Sequence, residues 1–197
     1  MIIYFRDMRT KDQSKQEAIF RATIKLVNEI GLVASSVAKI ATEANVSPAT
    51  IYIYYRNKDD LLVSTYLRIK REMGHSLTDG LNRDQPLRDV FRELWFRMFD
   101  FFKAHPDYFR FTEQFSNSPY VQQVETREVE EAFAPMLRLV QKGIEQKIIK
   151  NVSPNLLSVF LFYPIYTLAN KRLCPDWQLS SENIDQAFSM AWDAIKL

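Results

Sequence analysis

Apolar residues recur at intervals of three and four along almost the whole chain, and this spacing restricts the fold to packed α-helices. In the first such segment, Lys15 to Glu29, Ile19, Ala22 and Leu26 share one helical face. No stretch alternates apolar and polar side chains as a half-buried strand would. The pattern predicts an all-α protein, with an N-terminal three-helix unit followed by a C-terminal helical bundle and about nine helices in total.

Capping residues and prolines predict several helix boundaries. Gly31 is expected to end the first helix, and the residues before Lys15 to form a disordered basic arm. Ser118-Pro119 opens a helical stretch to about Lys147 that Pro135 must kink or break. Two further helices are expected, a charge-free one over residues 154–170 and a last one over residues 181–196.

The two parts of the chain differ in charge. Residues 1–58 carry nine basic and five acidic side chains, whereas the remainder carries 17 basic and 19 acidic ones. A small basic unit therefore precedes a slightly acidic larger one, which is typical of a chain with one end facing nucleic acid. We expect one domain with the arm and this basic unit over residues 1–60 and a helical domain over residues 61–197.

Composition argues against catalysis, metals and membranes. Four glycines leave no Gly-rich phosphate loop, and one cysteine leaves no disulfide framework or Cys-based zinc site, in keeping with a reducing cytoplasm. His75 and His105 lack metal-ligand spacing, and Glu128 and Glu131 are better explained as a solvated helix face than as a metal site. We expect no enzyme, no catalytic residue, no metal, no cofactor and no membrane segment, and a cytoplasmic protein.

The stretch from Ser36 to Tyr55 has the pattern of a helix-turn-helix. Ser36 caps a short helix, Asn45 suits a left-handed turn, and Ser47-Pro48 starts a second short helix. The second helix is expected to turn Ile51, Tyr52 and Tyr55 inward. Its other face is left with Pro48, Ala49, Thr50, Ile53 and Tyr54.

The same stretch resembles the tetracycline-repressor (TetR/AcrR-like) family. The similarity covers about residues 15–65 and is carried by Val37-x-x-Ile40-Ala41-x-x-Ala44-x-Val46-Ser47-x-x-Thr50-Ile51-Tyr52-x-Tyr54-Tyr55-x-Asn57-Lys58-x-x-Leu61-Leu62. It implies a homodimer with two recognition helices in successive major grooves of a palindromic operator. Ala38 stands where some members carry a base-reading polar side chain, so we expect little base readout from the first helix of the motif.

The resemblance also implies which residues meet DNA. The residues that would face DNA are Ser47, Pro48, Ala49, Thr50 and Tyr54, and those that would hold phosphates are Ser36, Tyr52 and Lys58. Simpler roles stay open, because both serines are helix caps in any case, Tyr52 is suited to a core and Lys58 to a solvated surface. Arg9 and Lys11 would either reach the flanking backbone or belong to a plain arm.

Aromatic residues crowd the segment between Phe91 and Phe115, which indicates either dense packing or a cavity for an apolar or aromatic effector. Arg92, Arg97, Gln114 or Tyr166 would anchor such an effector by a polar contact. The candidate pocket residues are Arg92, Trp95, Phe96, Phe99, Phe102, Phe111, Gln114, Phe115 and Tyr166.

The charge-free helix and the last helix are the expected dimer interface, because a monomer would leave their apolar surface uncovered. The residues proposed for it are Leu156, Leu157, Phe160, Tyr163, Phe188 and Trp192. The chain is thus predicted to be a ligand-responsive, sequence-specific transcriptional regulator, most simply a repressor released from its operator by a small effector. A helical ligand- or protein-binding module without operator binding is the alternative, and an all-helical enzyme a more distant one.

Overall fold

The computed structural model describes the backbone of residues 2–197 and the side chains from Asp12 onward. Within this range the fold is all-helical, as predicted, and its β-structure is one isolated antiparallel bridge between Ile149 and Lys196. The helices are α1 (Ile2–Ala34), α2 (Val37–Glu43), α3 (Pro48–Tyr54), α4 (Lys58–Thr78), α5 (Leu87–Ala104), α6 (Pro106–Ser116), a 3-10 helix (Pro119–Gln123), α7 (Thr126–Ala132), α8 (Ala134–Glu145), α9 (Pro154–Leu161), α10 (Tyr163–Ala169) and α11 (Ser181–Ile195).

The described residues form eleven α-helices rather than about nine, because prolines divide two predicted helices. The stretch from Ser118 to Lys147 becomes the 3-10 helix, α7 and α8. Pro164 separates α9 from α10, since its ring removes a backbone donor and clashes with the preceding turn.

The first helix differs at both ends from its prediction. Gly31 interrupts it at φ 82°, as expected of a C-cap glycine, and one further turn follows to Ala34. The backbone is already helical from Ile2, which corrects the predicted disordered arm; residues 2–14 hold neither Gly nor Pro to stop a helix. The predictions for Arg9 and Lys11 concern side chains outside the described range.

The chain forms two compact units, Met1–Lys70 with Pro106–Val129 and Arg71–His105 with Glu130–Leu197, called unit 1 and unit 2 below. This division follows packing, because α6 lies against α1. The predicted functional domains, 1–60 and 61–197, stay a prediction.

Unit 1 is built around the helix-turn-helix. Tyr66 of α4 stacks on Phe115 of α6, with ring centroids 4.4 Å apart. Asn28 of α1 donates to the backbone oxygen of Asp107 at 2.9 Å and lies 3.3 Å from the Gln114 amide. Beside these contacts a small core packs the first four helices together. Its buried members are Ile19, Ala22, Ile40, Ala41, Ala44, Ile51 and Leu61.

Unit 2 has an aromatic core. Trp95 of α5 is fully buried and packs edge-on against Phe188 of α11 at 5.6 Å. Phe91 lies 5.8 Å from Trp192 on the same two helices. Large rings on both helices therefore hold α5 and α11 together.

Candidate nucleic-acid interface and effector region

Two serines cap the N-terminal ends of the two helices of the helix-turn-helix, Ser36 for α2 and Ser47 for α3. The Ser36 hydroxyl accepts the Lys39 backbone N–H at 3.3 Å, and the Ser47 hydroxyl accepts that of Thr50 at 3.2 Å. Asn45 takes up φ 54° in the turn, as predicted, and Ala41 is buried where α2 crosses its neighbours. Helices of seven residues are stable only with capping and packing. The Ser47 cap therefore fixes the residue at which α3 begins.

Helix α3 turns one side chain outward that the pattern assigned inward. Tyr52 is 55 % exposed, which corrects its predicted place on the inner face, whereas Ile51 is buried as expected. Pro48 and Ala49 are exposed, and Ile53 is 75 % exposed. One side of α3 is therefore free to meet a partner.

Thr50 and Tyr54 are more enclosed than predicted. The Thr50 hydroxyl lies 2.9 Å from the Ser47 hydroxyl, inside the cap. Tyr54 packs on the helix-turn-helix core and donates its hydroxyl to Asp12 of α1. The hydrogen bond to that carboxylate raises the pKa of Tyr54 to about 12. Neither side chain is as open to a ligand as its helical position indicates.

Lys58 is tied to the end of α1. Its Nζ donates to the Val33 carbonyl oxygen at 3.0 Å, and partial burial lowers the pKa of its ammonium group. A lysine carries three N–H donors, so this bond leaves others available. The prediction that Lys58 contacts phosphate is therefore compatible with a second role at the C-terminal end of α1.

Three other basic side chains of unit 1 fall into two groups. Lys25 pairs with Glu43 at 2.6 Å and Arg56 with Asp60 at 3.5 Å, so carboxylates compensate both charges. The Lys39 Nζ instead donates to the Ala34 backbone oxygen at 3.1 Å. Lys39 and Lys58 thus bond to neutral carbonyl groups and keep their charge for an anion.

Six of the nine predicted effector residues lie in unit 2. Arg92 forms a bidentate ion pair with Asp185 of α11, with N–O distances of 2.5 and 2.6 Å, so its guanidinium is already engaged. Phe96 lies beneath that guanidinium, whose carbon is 4.7 Å from the ring centroid. Arg92 is consequently a surface ion-pair partner in this structure.

The inner members of the predicted pocket form a ring cluster. Trp95 lies 6.1 Å from Phe99, and Phe102 lies 5.1 Å from Tyr166. Burial raises the pKa of the Tyr166 hydroxyl far above its ordinary value. The Trp95 Nε1–H is buried and finds no hydrogen-bond acceptor among the described residues.

The other three predicted effector residues belong to unit 1. Phe111 and Phe115 are fully buried there, and the Gln114 amide is bonded to Asn28.

Arg97 of unit 2, a predicted polar anchor, binds Glu93 at 2.6 Å and the Asp79 backbone oxygen at 2.6 Å. A single pocket lined by all nine residues stays a prediction.

The residues predicted for the dimer interface separate into two groups. Leu156, Phe160 and Tyr163 are exposed, and Tyr163 reaches 62 %. Leu157, Phe188 and Trp192 are buried in the protomer's own core, which corrects their assignment, because they have almost no surface left to cover. Helical spacing alone does not tell which side of an apolar helix packs inside its own subunit.

Sequence reasoning missed the partners that lie far along the chain. Asp12 and Asp185 had no local signal, because each meets its partner only after folding.

No helix in the described range is long and apolar enough to cross a membrane. No cluster of His, Cys, Asp and Glu with the geometry of a metal site is found among those residues.

Comparison with known families covers both parts of the chain. The profile described as "Bacterial regulatory proteins, tetR family" matches residues 19–65. The profile described as "Tetracyclin repressor-like, C-terminal domain" matches residues 86–196, more than half of the chain.

Individual proteins agree with these profiles. A TetR family transcription regulator from Marinobacter aquaeolei VT8 is 35 % identical, with a TM-score of 0.84 over 95 % of this chain and 98 % of that one. An uncharacterized HTH-type transcriptional regulator from Haemophilus influenzae is 25 % identical over 96 % of this chain and its own full length.

A third comparison shows the fold alone. FadR from Bacillus subtilis, solved in complex with stearoyl-CoA, is 19 % identical, with a TM-score of 0.70 over 89 % of this chain and 95 % of that one. With the capped helix-turn-helix, the helical bundle that follows it in the sequence and two family profiles matched, the chain belongs to the TetR family of bacterial transcriptional regulators.

Proposed function

We propose that this protein is a repressor that binds a palindromic operator as a homodimer and leaves it when a small apolar or aromatic effector binds. The observation that carries the DNA-binding part is the exposure of Pro48, Ala49 and Tyr52 on α3, the second helix of the helix-turn-helix. A helix-turn-helix places this second helix in the major groove, where phosphate contacts position it and base contacts give specificity.

The homodimer is supported by the apolar surface of α9 and α10. Neither helix carries a charged residue, and Leu156, Phe160 and Tyr163 remain exposed on one protomer. An exposed apolar surface of this kind marks an interface. A second copy of the chain is the occupant that a palindromic operator requires, since each half-site needs its own α3.

The effector is proposed to be apolar, with at least one hydrogen-bond acceptor. The aromatic cluster around Trp95 and Phe99 suits an apolar body, as in most small-molecule sites. The unpaired Nε1–H of Trp95 supports a polar contact, because leaving such a group unpaired in a core costs about 1–3 kcal/mol. Arg92 is not needed as the anchor, since Asp185 holds it.

Release follows if the effector changes the separation of the two recognition helices. Helix α4 contributes residues to both units, so it is the proposed link between effector and DNA. Half-sites one turn apart lie about 34 Å from each other, and a shift of a few ångströms prevents both from docking together. The effector must bind the DNA-incompetent state more tightly, because equal affinity for both states shifts nothing.

Fluorescence anisotropy across a salt series tests the DNA-binding part. The duplex is the intergenic DNA upstream of the protein's own gene, and a scrambled duplex of equal length is the control. A repressor binds the first duplex far more tightly, and log Kd changes linearly with log salt at about 0.9 per phosphate contact. Equal binding to both duplexes, also after selection from a random library, favours the alternative of a helical module without operator binding.

The effector part is tested by adding ligands to the preformed complex. Stearoyl-CoA, the ligand of FadR, is one probe, and stearate, a polycyclic aromatic and a small charged metabolite complete the series. Release by an apolar ligand, together with quenching of tryptophan emission that is absent in Trp95→Phe, supports the proposal. Release by the small charged metabolite alone contradicts an apolar effector.

A further inference from the structure

We infer that Ile53 reads a thymine methyl group in each operator half-site, so that this protein recognises part of its operator by apolar contact. The inference rests on the proposed operator binding, and it assigns to Ile53 a role in choosing the base. Its grounds are the exposure of Ile53, the composition of α3 and the bonds that occupy neighbouring polar groups.

The exposure of Ile53 has no explanation inside unit 1. Its side chain is 75 % exposed, whereas Ile51 on the opposite side of the same helix is buried. Ala49 lies one turn before Ile53 and is also exposed, so the two form one apolar stripe on the outside of α3. This stripe belongs to the helix that the motif places in the major groove.

The composition of α3 leaves few other ways to read bases. Its seven residues, Pro48–Tyr54, include no Arg, Lys, Asn, Gln, Asp, Glu or His. Bidentate recognition of guanine uses Arg or Lys, that of adenine uses Asn or Gln, and cytosine is read by a carboxylate. Thymine is the base that an apolar side chain recognises in the major groove, through its C5-methyl group.

The hydroxyl groups of α3 are partly occupied. Thr50 shares its hydroxyl with Ser47 in the helix cap, and Tyr54 donates its hydroxyl to Asp12. On α2 the Lys39 Nζ is bonded to the Ala34 carbonyl oxygen. Ile53 is the largest exposed aliphatic side chain on α3, and its exposed fraction is greater than that of Tyr52.

The charges on the helices next to α3 in the sequence fit DNA better than an apolar partner. Lys39 on α2 and Lys58 on α4 each donate their Nζ to a backbone carbonyl oxygen and not to a carboxylate. An apolar side chain on α3, with a lysine on each of the two sequence-adjacent helices, matches a groove in which base methyl groups lie between two phosphate backbones.

The test compares thymine with deoxyuridine, which lacks only the C5-methyl group. Selection from a random duplex library first defines the preferred operator, and each thymine is then replaced in turn, symmetrically in both half-sites. Burial of one methyl group corresponds to about fourfold in affinity, so the doubly substituted duplex is expected to bind about 15-fold more weakly at the position that Ile53 reads.

Variants separate this contact from general effects. In Ile53→Ala the thymine and deoxyuridine duplexes are expected to bind equally at that position. Ile30→Ala removes an equally aliphatic, exposed side chain from α1 and should keep the discrimination of the wild type. Because Ile53 is mostly exposed, its replacement is not expected to unfold the helix-turn-helix, and circular dichroism checks this.

The outcomes are distinct. Equal binding of thymine and deoxyuridine duplexes by the wild type at every position overturns the inference, as does discrimination that survives in Ile53→Ala. Selection that enriches no sequence, with uniform weak binding, instead overturns the proposed operator binding. Loss of discrimination in Ile53→Ala alone establishes Ile53 as the thymine reader.

Discussion

The Ser47 hydroxyl accepts the backbone N–H of Thr50 at 3.2 Å and lies 2.9 Å from the Thr50 hydroxyl, so one side chain both starts α3 and orders its first turn. A substitution that keeps this cap can therefore test the proposed contact of Ser47 with DNA by itself. Aspartate caps a helix about as well as serine, but it adds a negative charge.

We therefore expect Ser47→Asp to keep the free energy of unfolding within about 0.5 kcal/mol of the wild type and to weaken operator binding more than tenfold. Thermal unfolding and anisotropy measure the two effects. Ser180→Asp makes the same change at the N-cap of α11 in unit 2 and should leave DNA binding intact. Unchanged operator affinity in Ser47→Asp would remove Ser47 from the interface.

Lys58 offers a second separation of roles. If its ammonium group contacts a phosphate, Lys58→Gln should reduce the salt slope by about 0.9 for each protomer. If Lys58 only caps α1 through the Val33 carbonyl, the slope stays constant and the free energy of unfolding falls. Lys103→Gln, an exposed lysine on α5 of unit 2, is the control and should change neither quantity.

Helices α4 and α7 approach so closely that Gly74 has no room for a side chain. A Cβ at Gly74 would lie 2.1 Å from the Ala132 carbonyl oxygen, which is backbone and cannot rotate away. Alanine is favoured over glycine by about 1 kcal/mol inside a helix, yet overpacking costs about 1–3 kcal/mol or more. We expect Gly74→Ala to lower the free energy of unfolding, measured by urea denaturation.

The control is Ser76→Ala, on an exposed position of the same helix, which should be neutral or slightly stabilising. A Gly74→Ala variant more stable than the wild type would mean that α7 moves away without cost.

The fold was predictable because its signals are local. The caps at Ser36 and Ser47, the turn at Asn45 and the C-cap at Gly31 each depend on neighbours within a few residues. The number of helices was wrong because two stretches that contain a proline, at Pro135 and Pro164, each form more than one helix.

The site was less predictable because it depends on contacts between distant segments. Tyr52 follows a buried isoleucine, and the sequence pattern could not show that its ring leaves the core. The sequence pattern made Arg92 a candidate effector anchor, because its ion-pair partner Asp185 lies 93 residues further along the chain, on another helix. Leu157 and Phe160 are both apolar and three residues apart, yet the first is buried and the second exposed.

The ion pair between Arg92 and Asp185 predicts a small pH dependence. The Arg92 hydrogen bond holds the pKa of Asp185 below its ordinary value near 3.8. A carboxyl group with a depressed pKa stabilises the fold above its unfolded pKa, and this contribution disappears as the pH falls through its folded pKa. Both side chains are more than a third exposed, so the contribution at pH 7 is expected to stay below about 1 kcal/mol.

We expect Asp185→Asn to be slightly less stable than the wild type at pH 7, by urea denaturation, with a difference that shrinks as the pH falls below the ordinary carboxyl pKa near 3.8. Asp176→Asn, in an exposed loop, is the control and should follow the wild type. A difference between Asp185→Asn and the wild type that stays constant with pH would show that packing, and not charge, is responsible.

The contrast between Phe160 and Leu157 gives a direct test of the proposed dimer surface. Phe160 is about half exposed, so Phe160→Glu should leave the monomer folded while placing two charges in the interface. Sedimentation equilibrium is expected to show a monomer, and operator affinity should fall because the half-sites are no longer bound together. Val121→Glu, an exposed apolar position in unit 1, should remain dimeric.

Leu157→Ala should act in the opposite way. Its side chain is 3 % exposed, so the truncation creates a cavity and is expected to lower the free energy of unfolding by about 2–5 kcal/mol. At concentrations and temperatures where the variant stays folded, its dimer should persist. A Phe160→Glu protein that remains dimeric while Leu157→Ala dissociates would move the interface away from the exposed side of α9, because the buried residue would then control association.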